Sequence, residues 1–260
     1  MRIVLTTGPR DAFAGIFWQA YREAEGPPLA AVFVVAGKKR AKEPLWQRAA
    51  TPVALCGIGG CVRLAAAVAK VPFPRDRAAG LHRDRESLWP GDPEVRSVAS
   101  MNAPESLAAL QAVAPDLLVS VHTPQIFKPA VLAAARVAAI NVHNGRIPLY
   151  RGSFGTFWEV MEGERTGYVS IHEMVEEVDS GRMVAAATVD LNPPGGFLDV
   201  MVEKKRAGGA LLARLLRETA ASGRLPDGIV GEGTPAERTG LYPMPRFADV
   251  MAFARKRAGR

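Results

Sequence analysis

Four short runs of nearly uninterrupted apolar residues limit what this chain can fold into. They are Met1 to Thr6, Ala30 to Ala36, Leu117 to Val121 and Val137 to Val142. A strand with one wet face alternates apolar and polar residues. A strand buried on both faces, as in a parallel sheet covered by helices, does not. The first run leads into Thr7-Gly8-Pro9-Arg10-Asp11, turn chemistry with Asp11 placed to cap a helix. Phe13, Ile16, Phe17, Ala20 and Ala24 then recur at helical spacing before the second run. Strand, helix and strand make a βαβ unit. The expected class is α/β, a Rossmann-like, mostly parallel sheet flanked by helices, with a short C-terminal extension. The first turn lacks Gly-x-Gly-x-x-Gly, so a nicotinamide dinucleotide site is not expected.

The later chain is legible in pieces. Residues 37–100 are the least so: Gly59 to Lys70 predicts a helix, and the prolines and charges over 72–98 read as a long surface excursion. Asn102 is placed to cap a helix through Val113, and Pro129 to Ala135 predicts a short one. Ser153 stands as N-cap before Phe154, Phe157, Trp158 and Met161, an amphipathic helix whose aromatics are core and which Gly163 ends. Tyr168 to Met174 alternates as a strand, and Met183 to Leu191 is another. A long helix follows over Leu198 to Ala221. From Asp227 onward the chain reads as a turn-rich extension ending in a basic helix. The expected division is a domain over 1–200, atypical over 37–100, and a C-terminal helix with a basic extension over 201–260.

The chain has 260 residues, 48% of them hydrophobic, enough for a sizeable core. No stretch is long and apolar enough to span a membrane and no cleavable signal is evident, so a cytoplasmic protein without membrane insertion is expected. Cys56 and Cys61 form no disulfide framework, and without a second pair or a nearby His they read as half-buried thiols rather than metal ligands. The net charge of +7 is clustered at Lys38, Lys39, Arg40, Lys42 and Arg48, at Arg75, Arg77, Arg83 and Arg85, and at the C-terminus. Such clusters suit anionic partners such as nucleotides, phosphates or nucleic acid, or are solvated loops.

The polar residues best placed for chemistry lie where the fourth run ends. Asn141 and His143 are two apart on a strand, so they project from one face beside a Gly/Pro loop. Taken alone, the pair reads equally as a strand end facing solvent. The loop His122 to Phe127 ends the third run, and in open α/β sheets ligands gather at such carboxyl ends. His172 and Asp179 complete the set. No Gly-x-Ser-x-Gly elbow is present, so an amide, imidazoles and a carboxylate stand without an obvious nucleophile. That inventory suits acyl transfer in which the acceptor brings its own nucleophile.

Ile140-Asn141-Val142-His143, then Pro148-x-x-Arg151-Gly152, an aromatic helix, and Gly167-x-x-x-Ile171-His172-x-Met174-x-x-x-x-Asp179-x-Gly181 together resemble the folate-dependent formyltransferases. The likeness is strong over 115–192, weaker over 1–36 and absent over 37–100. It implies Asn141, His143 and Asp179 as the catalytic set. A pterin-binding loop at Pro124, Gln125, Ile126 and Phe127 is implied as well, with a second folate wall at Glu177 and Val178. Arg146, His172 and Arg10 are the candidate acceptor contacts. Arg146 stands where the family usually has an apolar residue, and the turn after the first strand does not match the phosphate loop of the purine-synthesis members. The implied reaction moves a formyl group from 10-formyltetrahydrofolate, as co-substrate and without a metal, to the primary amine of a small acceptor. A nucleotide-linked amino sugar is expected, since the residues after the core are too few for a full tRNA-binding module. Transfer to an aminoacyl-tRNA and hydrolysis of the formyl donor are the alternatives. A homodimer is the expected assembly.

Overall fold

All four apolar runs become neighbouring parallel strands: β1 (Ile3–Thr7), β2 (Ala31–Val35), β4 (Leu117–Val121) and β5 (Ala138–His143). With β3 (Glu94–Val98), β7 (Thr166–Glu173) and β8 (Met183–Asp190) they form one seven-stranded sheet, ordered β3-β2-β1-β4-β5-β7-β8. Strands β1 to β5 are parallel; β7 and β8 are antiparallel additions. The computed structural model describes residues 1–9, 13–36, 44–70, 89–194, 196–228 and 239–258. Arg10 and Asp11 lie outside the described residues, as do Lys38, Lys39, Arg40, Lys42 and the arginines at 75, 77, 83 and 85.

Strand side chains alternate faces, and this divides the core in two. Ile3, Leu5, Val32, Val34, Val119, Ile140 and Val142 face one cluster, filled by Phe17, Trp18 and Tyr21 of α1 (Ala14–Glu23) and Leu211, Leu212, Leu215 and Leu216 of α6 (Phe197–Ser222). Val4, Phe33, Val35, Leu118 and Ala139 face the other, with Leu110 of α3 (Pro104–Val113) and Val131 of α4 (Pro129–Leu132). Burying each large apolar side chain contributes about 1.5–3 kcal/mol, so the two clusters dominate the fold's stability. A third cluster joins Phe157 of α5 (Gly155–Glu162), Phe197, and Val250 and Phe253 of α7 (Phe247–Ala258); Ala54, Leu55 and Cys56 of α2 (Leu45–Lys70) pack against it.

Several expectations need correction. Residues 94–98 are an edge strand rather than part of a loop; Glu94 and Ser97 are exposed and Arg96 pairs with Glu94, the polar dress of a sheet edge. The helix foreseen from Gly59 is the second half of α2, beyond the break at Gly57; a first half from Leu45, not foreseen, precedes it, and α4 has only four residues. Asn102 does not cap α3, whose N-cap is Ala103, and Ser153 does not cap α5, which enters through Phe154 in a left-handed conformation. Helix α6 runs continuously over Phe197–Ser222, and its leucines belong to the main core. The extension is ordered over 239–258: β9 (Leu241–Tyr242) pairs with β6 (Arg151–Gly152), and α7 follows. Among the described residues no helix is long and apolar enough to cross a membrane.

Candidate active site

Parallel pairing of β4 with β5, Ser120 opposite Asn141 and Val121 opposite Val142, brings loop 122–127 beside Asn141 and His143. Antiparallel pairing sets Asn141 directly opposite His172. The Asn141 amide nitrogen lies 3.1 Å from His172 Nε2. His172 Nδ1 donates to the Glu173 carbonyl, so Nε2 is the nitrogen left for the site, 3.3 Å from Asp179 Oδ1. The other Asp179 oxygen lies 3.4 Å from His143 Nδ1. Asn141, His143, His172 and Asp179 thus form one continuous network, and both imidazoles are buried.

Asp179 sits in the loop joining β7 to β8 with φ +48°, a left-handed conformation that Asp tolerates better than most residues. The Gly152 N–H donates to its Oδ2 at 2.8 Å. Burial works to raise its pKa, but the His172 hydrogen bond, the His143 ring and the Gly152 N–H outweigh burial and hold it down to about 2. The carboxylate is therefore charged at neutral pH.

A carboxylate beside an imidazole favours the charged ring, but at His143 burial prevails. Its Nε2 lies 2.6 Å from the Tyr150 carbonyl, which can only accept, so Nε2 carries a proton. Asp179 and that carbonyl both favour the charged ring, yet burial outweighs them and lowers the pKa below the ordinary imidazole value. The resting ring is neutral, with unprotonated Nδ1 turned toward Asp179. Gly145 makes this geometry possible: a Cβ there would stand 2.8 Å from His143 Nε2 and 2.9 Å from the Tyr150 oxygen.

The residues of the expected pterin loop take different roles. Phe127 is buried in the second core cluster, and Gln125 is bound to Ser100 and the Met101 N–H. Asn102 latches the loop, its amide donating to the Ile126 carbonyl and its Oδ1 accepting from the Lys128 N–H. Pro124 and Ile126 are left facing solvent, Ile126 at 64% exposure. Met174 packs against the same cluster that holds Phe127, and Val175 beyond it is also exposed. Two apolar side chains consequently stand on loops flanking the polar network. Glu177 and Val178 are engaged by Arg151, whose guanidinium donates to the Glu177 carboxylate at 2.6 Å and the Val178 carbonyl at 2.9 Å. The Arg146 guanidinium stands 4.9 Å from the Tyr168 ring centroid.

Several residues without an assigned role in the sequence reading hold this geometry. Arg151 and Gly152 together fix the Asp179 loop, and β9 fixes them in turn: Arg151 N donates to Gly240 O, and Ser153 N to Tyr242 O. Tyr242 stacks on Tyr150, and the Trp158 indole donates to the Pro243 carbonyl. Behind the loop, Lys204 and Glu159 form a fully buried ion pair, and Glu159 also accepts from the Arg146 and Tyr168 N–H groups. A glutamate amid the aromatics of α5 was the available signal. On the far side, Lys205 Nζ lies 2.5 Å from His122 Nε2, which Asn144 also approaches at 3.1 Å. Among the described residues no group of three or more His, Cys, Asp or Glu is arranged to hold a metal.

The formyl transferase family profile matches residues 1–204. A methionyl-tRNA formyltransferase of Synechococcus is 35% identical over 113 residues, 44% of this chain and 35% of that protein. One of Anaeromyxobacter dehalogenans is 31% identical over 169 residues, 63% of this chain and 53% of that protein. The chain thus spans about a third to a half of these relatives. Among solved structures, a 4-N formyltransferase of Francisella tularensis superposes with TM-score 0.56 at 14% identity, covering 97% of this chain and 87% of that one. A formyltetrahydrofolate deformylase of Pseudomonas syringae gives 0.53 at 15%, over 85% of this chain and 62% of the other. At such identities these structures share the fold.

Proposed function

Because the chain belongs to the formyl transferase family, we propose that it moves a formyl group from 10-formyltetrahydrofolate to the primary amine of a small acceptor. The observation that supports this most is the linked set Asn141, His143, His172 and Asp179. An acceptor amine attacks the formyl carbon, and the carbonyl oxygen becomes an oxyanion. An amide nitrogen has two hydrogens, and one from Asn141 serves the oxyanion, a contact worth about 3–4 kcal/mol in such sites. The proton leaving the amine passes to His143 Nδ1, where Asp179 stabilises the imidazolium. That proton then moves to N10 as the carbon–nitrogen bond breaks, releasing tetrahydrofolate and the formamide. The exposed apolar pair Ile126 and Val175 supplies two sides of a slot for the flat pterin.

A nucleotide-linked amino sugar is the acceptor we favour. The residues after α6 bear on it: β9 pairs with β6 beside the Asp179 loop, while α7 packs against α5 and α6. Arg146, raised over Tyr168 three residues from His143, is the side chain we assign to the acceptor. Arg10, in the turn after β1, is the second candidate. Transfer to an aminoacyl-tRNA is the second reading, supported by the names of the sequence relatives. A panel of nucleotide amino sugars and aminoacylated tRNA, each with the formyl donor, separates the two. Formylation of tRNA alone overturns the amino-sugar assignment, and donor breakdown at full rate without any acceptor identifies a hydrolase instead.

A further inference from the structure

Strand β5 pairs with β7 as far as His143 opposite Ser170. Beyond that point Asn144, Gly145 and Arg146 run as a loop, while β7 extends past it with residues 166–169. Side chains take the place of the missing ladder. Thr156 Oγ1 donates to the Asn144 carbonyl at 3.3 Å, and Ser170 Oγ to the Gly145 carbonyl at 2.8 Å. Glu159 Oε1 accepts the Arg146 N–H at 3.0 Å and the Tyr168 N–H at 3.1 Å. All three side chains are buried.

The Glu159 contact reaches furthest. Two N–H groups are both donors and cannot satisfy each other, so a single carboxylate oxygen joins loop to strand. The residues it joins are the partners of the cation–π contact, the Arg146 guanidinium lying 4.9 Å from the Tyr168 ring centroid. One oxygen therefore fixes the backbone origin of both side chains. Lys204 Nζ donates to the other oxygen, Oε2, and holds the carboxylate in place. Gly167 leaves room for the pair, since a Cβ there would stand 3.0 Å from Glu159 Oε2 and 2.9 Å from Lys204 Cε. Replacing both partners of a buried ion pair by apolar residues is often tolerated, so such a pair is weak evidence for stability. Its place directly behind Arg146 calls for another role.

We propose that Glu159 is a positioning residue for the acceptor: by holding the Arg146 and Tyr168 N–H groups it sets the Arg146 guanidinium in advance to meet a phosphate group of the amine substrate. This rests on the assignment of Arg146 to the acceptor made above. A guanidinium ordered only on binding costs affinity, and ordering it beforehand removes that cost.

The test separates charge from hydrogen bonding. A first pair of changes, Glu159→Gln with Lys204→Met, removes both charges but keeps a carbonyl oxygen for the two N–H groups. A second pair, Glu159→Met with Lys204→Met, removes the oxygen as well, so the loop shifts to find another acceptor. Neither pair leaves a buried charge, and circular dichroism should show both folded. Calorimetric binding of inorganic pyrophosphate to the full chain gives a readout that needs no turnover. The expected result is parental affinity in the first pair and about a tenfold loss in the second. KM for the formylated acceptor should follow, with kcat and KM for the formyl donor within about twofold of the parent. Arg146→Ala should lose the same factor alone and nothing further in the second pair, because residues acting through one contact are not additive. Equal affinities in the two pairs overturn the proposal. So do additive losses, parental binding by Arg146→Ala, or no pyrophosphate binding by the parent. The formyl-transfer reading fails separately, if the parent shows this binding pattern and transfers no formyl group.

Discussion

At the scale of single residues, the proposed mechanism sets a proton acceptor, His143 backed by Asp179, beside an oxyanion donor, Asn141. His143→Ala and Asp179→Ala should each lower kcat by at least about a hundredfold while circular dichroism is unchanged. Near-normal transfer by either variant would contradict the assignment. Gly145→Ala should do comparable harm, because its methyl group intrudes between His143 and the Tyr150 carbonyl. The pH dependence of stability has a definite sign. Asp179 is held down to about 2, whereas an unfolded Asp titrates near roughly 3.9. Its contribution, on the order of 2 kcal/mol, is present above the unfolded value and lost as pH falls through the folded one. Urea midpoints should therefore decline between about pH 4 and pH 2 in the parent, and that part of the decline should be missing in Asp179→Asn. His143, also lowered, acts in the same direction nearer its own range. That Asn141, His143 and Asp179 lie together was legible because two spaced motifs hold them. The charge on His143 was not legible, since it depends on how far burial outweighs a carboxylate 3.4 Å away.

At the scale of elements, the buried pair Glu159–Lys204 joins α5 to α6 and supports the loop after His143 through the Arg146 N–H. Burial raises the Glu159 pKa and lowers that of Lys204, and each partner offsets part of the other's cost. Removing one charge leaves the other buried and unpaired. Glu159→Gln should cost about 3–5 kcal/mol in urea unfolding, and the double change to Met at both positions should recover most of it. Equal stability of the single variant and the parent would contradict this. The strands β1, β2, β4 and β5 were readable because a doubly covered parallel strand is apolar throughout. Strand β3 was not, because an edge strand is dressed in polar residues that read as loop. Asn102 and Ser153 look like caps in sequence; Asn102 is instead recruited by the loop at 122–127, a long-range partner that local pattern does not reveal.

At the scale of the whole molecule, distant segments converge on one carboxylate. The tail at 240–243 holds Arg151 and Gly152, which hold Asp179. Tyr242→Ala, which removes the stack on Tyr150, should lower kcat about tenfold by loosening that geometry, with little change in donor affinity. Ile126→Asp should do the converse, raising KM for the formyl donor about tenfold while stability holds, since the side chain is exposed. The long α6 and the β6–β9 pairing tie the C-terminal segment to the site, and neither pairing partner was visible in a two-residue strand. The central claim is that this network transfers a formyl group to an amine. Its most direct measurement supplies 10-formyltetrahydrofolate with the acceptor panel and follows tetrahydrofolate release together with the mass of the product. The account predicts one acceptor gaining a formyl group, in step with tetrahydrofolate, and no product from Asp179→Ala. Folded protein that formylates neither amino sugars nor aminoacyl-tRNA, or a variant lacking Asp179 that works as well as the parent, would contradict it.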